Sequence, residues 1–155
     1  MILAALLAAT HYLALALGLG GVFARGLRLR DLRRQRDDAR ALQRLLLSDT
    51  VWGVAALLWL ATGLLRAFGH IEKQPVFYLR NGFFHLKMTL FLIVLLLELL
   101  PMITFIRWRI ARGKKQDPVA TARLDRLIRI NDIEVALVVC IPFTASLMAR
   151  GLWLF

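Results

Sequence analysis

A single cysteine, Cys140, stands in the chain, which excludes an intramolecular disulfide and any CxxC metal or redox motif. Acidic residues are scarce: ten Asp and Glu against 21 Lys and Arg leave a net charge of +11. No internal repeat or low-complexity tract is present. The even mixture of polar and apolar residues that a soluble domain needs is missing as well. Apolar residues make up 59% of the 155 and charged ones 20%, and the two populations are segregated into long apolar blocks and short arginine-rich blocks. That segregation belongs to a polytopic membrane protein of one domain. The basic excess does not mark a nucleic-acid binder. It flanks the apolar blocks, where positive charge sets topology and meets anionic lipid head groups.

A membrane-crossing helix needs about 20 mostly apolar residues. Four segments meet that length: Ile2–Ala24, Val51–Phe68, Phe83–Ile106 and Ile133–Phe155. The second is the shortest and has room to begin one turn earlier, in LLLSD. The first lacks the basic n-region of a signal peptide, and eight arginines follow it between Arg25 and Arg44, a stop-transfer flank. The expected fold is an all-α transmembrane four-helix bundle, one domain over residues 1–155.

Connections one and three each carry eight basic residues, whereas the middle connection carries only Lys73 and Arg80. The excess places connections one and three in the cytoplasm and both termini outside. Connection one reads as helical, with Leu27, Leu32, Leu42, Leu45 and Leu46 among its charges and no Gly or Pro after Gly26. It is either an amphipathic extension at the inner head groups or a solvated basic linker. Connection three is broken at Gly113 and Pro118, then runs as a short helix into span four.

Ionisable groups inside such spans are costly, and each is a functional candidate. His11 lies ten residues from the outer terminus, about 15 Å down the helix. It shares a face with Leu7, Ala14, Gly18, Gly21 and Arg25, whose small members permit close packing or leave room for a flat ligand. Lys87 and Glu98, eleven residues apart, share a face of span three with Phe91 and Val94 between them. His85 points away from Lys87, and Lys87 is the better interior candidate, with snorkelling as its alternative. Glu98 calls for a partner at the inner end of another span. On span two Asp49, Trp52, Ala56, Trp59, Gly63, Arg66 and His70 form one stripe. Trp52 suits an interfacial anchor, Trp59 a core position against something flat, and Asp49 an N-cap. Arg66, Lys87 and Arg150 form an outer basic cluster fit for a carboxylate or for lipid phosphates. At the inner end Asp49, Glu98, Asn131, Asp132 and Glu134 gather among arginines, mainly as caps and loop ion pairs.

The stretches ATHYLALALGLGGVFARGLRLR and FHLKMTLFLIVLLLEL resemble those of the HemJ-type protoporphyrinogen oxidases, four-helix bacterial membrane proteins with a first-helix histidine and an L-H-x-K motif on the third helix. The pattern is similar to the CopD copper-resistance membrane domain too, and to a bacterial family of integral membrane proteins of this length. The aromatic stretch that follows the first histidine in the HemJ-type proteins is replaced here by LGLGGVFARG. The resemblance implies a multi-pass protein of the bacterial inner (plasma) membrane that binds haem b, as an oxidoreductase of porphyrin chemistry. Carried across, His11 is the axial ligand, Lys87 or His85 serves the opposite side or a propionate, and Arg66 and Arg150 pair with carboxylates. The alternative is copper handling through His11, His85, Met88, Met102 and Met148. A third is a non-catalytic assembly partner. The small-residue faces permit a homodimer.

Overall fold

The computed structural model describes residues 2–35, 39–69, 74–114 and 121–154. His70, Lys73, Lys115, Pro118 and Phe155 lie outside the described residues. Four long helices carry the fold: α1 (Ile2–Arg34), α2 (Ala39–Phe68), α4 (Gly82–Gly113) and α5 (Thr121–Ala149). A one-turn helix, α3 (Pro75–Leu79), joins α2 to α4. Each long helix is apolar and long enough to cross a membrane. α1 packs against α2 and α5, and α5 against α4.

The helices extend past the expected spans at their inner ends. With 33 residues α1 is about 50 Å long, well beyond about 30 Å of hydrocarbon. The reason is side-chain burial. Leu29 and Leu32 of α1, Leu42 and Leu45 of α2, Phe105 and Trp108 of α4, and Leu124 and Leu127 of α5 pack into one cluster. The leucines of connection one thus cover other helices, so its helical reading holds and a solvated linker does not describe it. Leu27 alone of the five stays exposed, at 47%. Asp49 therefore sits inside α2 and does not cap it.

A second cluster fills the middle, built on Ala14, Val22, Trp52, Trp59, Phe91, Val94, Val138 and Ile141. Gly18 and Gly21 of α1 face Trp52 there. Their smallness brings α1 and α2 together and is not spent on a ligand. At the outer end Ala67, Tyr78, Phe84 and Met148 form a third cluster. The Asn81 side chain caps α4 by accepting from the Phe83 and Phe84 amides, at 3.0 and 3.3 Å. α5 stops at Ala149, before the predicted end of span four, and the tail turns back so that Trp153 O accepts from the Gly82 amide at 3.0 Å.

A Cβ on Gly21 would lie 2.9 Å from the Trp52 backbone nitrogen, whereas one on Gly20 would meet nothing within 4 Å. Gly21→Ala is expected to cost about 1–3 kcal/mol through overpacking against backbone that cannot yield. Gly20→Ala is expected to leave stability unchanged or raised. Thermal unfolding of both variants in one detergent checks the contrast.

Candidate functional site

Polar chemistry inside the bundle is concentrated at two places, an outer cavity and an inner charged cluster. The cavity has a volume of about 410 Å³ and is lined by all five helices. Its walls are largely apolar and aromatic, with Tyr12, Trp59, Phe77, Phe84 and Phe91 among them. Three of the candidate residues line it: His11, Arg66 and Lys87. The other two do not. His85 is exposed on α4, with Nε2 2.9 Å from Leu79 O, and Arg150 is exposed in the turn after α5.

His11 is held by α2 through both ring nitrogens. The Trp59 indole N–H donates to Nε2 at 3.1 Å, and Nδ1 lies 2.8 Å from Thr62 Oγ1. Indole only donates, so Nε2 is the acceptor and a neutral ring carries its proton on Nδ1. That N–H donates to Thr62, whose hydroxyl donates to Leu58 O at 2.6 Å. Gly63 makes the fit possible, because a Cβ there would come within 3.1 Å of His11 Cε1. Trp59 meets the flat partner that its depth called for: His11 on one side, and the Phe91 ring edge-on at 5.5 Å. Thr62 was not singled out in the sequence. Its position three residues after Trp59 on an apolar span is the only signal for it.

Lys87 and Arg66 stand at the outer part of this cavity in different settings. The Arg66 guanidinium lies over the Tyr12 ring, 5.4 Å from its centroid. Among the described residues the partner of Lys87 Nζ is the face of Phe84, 5.2 Å away, and no hydrogen-bond acceptor reaches it. An ammonium stacked on a ring keeps its donors available to an anion.

The inner cluster centres on Arg25, which is 0% exposed. Its Nη1 donates to both oxygens of Glu98, at 2.8 and 2.9 Å, and to Asp49 Oδ1 at 3.3 Å. Nη2 donates to Glu134 Oε2, and Nε to Asn131 Oδ1 at 2.8 Å. The guanidinium also lies over Phe105, 5.9 Å from the ring centroid. Trp52 is not an interfacial anchor: it is buried, and its indole donates to Glu98 Oε2 at 2.9 Å. Arg109 closes the edge by donating to Asp49 Oδ2 at 2.8 Å. Every long helix contributes at least one charged group. The inner acids are thus neither caps nor loop pairs; Asp132, within α5, takes Arg30 of α1 at the surface at 2.7 Å. Glu98 does find its partner at the inner end of another span, as expected.

Haem b can be tested against the cavity residues. The carboxylate end fits, since Lys87 would receive a propionate. The iron end does not fit this arrangement, because the lone pair on His11 Nε2 already accepts the Trp59 N–H. For copper, His11, Met88 and Met148 share the cavity, while His85 and Met102 lie elsewhere. Among the described residues no three His, Cys, Asp or Glu side chains are grouped to hold a metal ion.

Four apolar helices tied by a buried charge cluster define a multi-pass helical membrane protein. More particularly, the chain belongs to the family described as predicted membrane protein (DUF2214), whose model matches residues 3–152. No curated protein and no solved structure matches it.

Removing one partner of a buried ion pair strands the others. Arg25→Met is expected to cost about 3–5 kcal/mol by leaving Asp49, Glu98 and Glu134 without their common cation. Arg30→Met removes one exposed pair and is expected to cost about 0–1 kcal/mol. Parallel thermal melts in detergent check the difference.

Proposed function

We propose that this membrane protein binds an amphipathic anion, a flat apolar body bearing a carboxylate, in the cavity between His11 and Lys87. The observation that carries the reading is the Lys87 ammonium. It lines an apolar cavity with an aromatic face as its partner, so an entering carboxylate would gain a charge-assisted hydrogen bond. Arg66 lines the same cavity from α2, over the Tyr12 ring, and aromatic rings supply the apolar contact. Deeper in, the His11–Trp59–Thr62 chain offers a fixed polar floor whose tautomer is set.

Haem b is the second reading, and one observation favours it. Thr62 already supplies His11 Nδ1 with the kind of hydrogen-bond partner that metal-bound imidazoles carry. Iron ligation would then require Trp59 to withdraw its N–H from Nε2. Lys87 would then hold a carboxylate of the bound group.

Purification in mild detergent, followed by absorption spectra before and after dithionite and by mass spectrometry of an organic extract, tests both readings. An extract containing a carboxylate-bearing apolar molecule, depleted about tenfold or more by Lys87→Met, is the expected result, from the about 1.5–3 kcal/mol of a hydrogen bond to a charged group. His85→Ala and Arg150→Ala are expected to retain the ligand. A reducible haem spectrum that His11→Ala abolishes assigns haem b as that molecule. Equal occupancy in wild type and Lys87→Met, or phospholipid alone in both extracts, overturns the carboxylate reading.

A further inference from the structure

Among the described residues, the inner cluster contains one more carboxylate than it has cations. Arg25 and Arg109 face Asp49, Glu98 and Glu134, and the other groups that reach these side chains, Asn131, Thr50 and the Trp52 indole, are neutral. Element by element, α1 presents Arg25, α2 presents Asp49, α4 presents Glu98 and Arg109, and α5 presents Glu134. Arg30 does not correct the balance, since it is taken by Asp132 at the surface.

Glu134 is the group in the least favourable place. Its side chain is 0% exposed, and its Oε1 has no hydrogen-bond partner although Oε2 accepts from Arg25. It shares the Arg25 guanidinium with Glu98, which accepts from Nη1 while Glu134 accepts from Nη2. Two ionised carboxylates have no donor to place between them, whereas a carboxylic acid and a carboxylate do. Like charges held together in a dry site do not both stay ionised, and one shared proton removes the conflict.

We propose that Glu98 and Glu134 share one exchangeable proton, which makes the inner cluster a proton-binding site and not only an ionic tie. The step is simple: a carboxylate oxygen takes a proton from water and becomes a carboxylic acid, and the cluster changes from net −1 to neutral. Solvent reaches it unevenly. The Glu98 and Asp49 side chains are 20% and 15% exposed while Glu134 is sealed, so the proton enters and leaves through Glu98. Because the pair binds Arg25 from α4 and α5 together, each exchange changes the force between those helices and α1.

Infrared difference spectroscopy of the full chain in lipid vesicles, in H2O and in D2O, tests this. The expected result is a protonated-carboxyl band at neutral pH that shifts in D2O and disappears as pH is raised. Glu134→Gln and Glu98→Gln are each expected to abolish it, since either change leaves two carboxylates against two arginines. Asp125→Asn and Asp132→Asn, in exposed pairs, are expected to retain it. Absence of the band from the wild type overturns the proposal without recourse to any variant. So does a band that survives both glutamine substitutions. If Glu134→Gln does not fold, Glu98→Gln carries the assignment.

Discussion

The bundle depends on the need of one guanidinium for anions. Arg25 has five N–H groups and no contact with solvent, and an unmatched charge there would be prohibitive. Asp49, Glu98 and Glu134 meet it from three other helices, with Asn131 completing the set. Such a cluster adds less net stability than its number of hydrogen bonds suggests, because desolvation offsets much of the attraction. Its effect is on register. Sliding α4 or α5 by one turn, about 5.4 Å, would strand Arg25 and at least one carboxylate together. Packing of leucine against leucine would tolerate such a slip far better.

This hub explains why the inner ends continue as helices beyond the hydrocarbon. With Arg25 pinned, Leu29 and Leu32 follow one and two turns later on the same side and reach Leu45, Leu124 and Leu127. Arg30 and Arg33 remain at the surface, where they pair with Asp132 and Asp125 of α5. Connection one is thereby a packed helical hairpin flank. Its charge pattern serves topology, and its leucines serve the core.

The number of spans, the all-helical class and the facing of Lys87, Phe91, Val94 and Glu98 were legible because they follow from apolar length and helical period alone. The placement of His11, Arg66 and Lys87 around one cavity was legible for the same reason. What period could not supply was partner identity. Arg25 was visible on the His11 face, yet one arginine among eight in a basic flank carries no mark that it turns inward. Asp49 has the composition of a cap, and only the packing of α2 leucines on α4 and α5 reveals that the helix has already begun ten residues earlier. Arg150 failed to join the cavity because α5 ends at Ala149 and the tail turns to bond Asn81 and Gly82, which takes the side chain out of helical register.

Two tryptophans on α2 connect these features. Trp52 and Trp59 are seven residues apart, two turns on one face, and each spends its single donor on a group at a different end of the bundle. Trp52 holds Glu98, and Trp59 holds His11. Between them lie the buried apolar side chains of Ala14, Phe91, Val94 and Val138. This apolar layer separates the cavity from the charge cluster. They can still influence one another mechanically. α1 carries His11 and Arg25 on one rigid helix about 21 Å apart, so a shift of α1 on α2 that released Trp59 from His11 would also change how Arg25 meets Asp49 and Glu98. The close contact of Gly21 with the Trp52 backbone is where such a shift would be felt first, since nothing flexible lies between the two helices at that level.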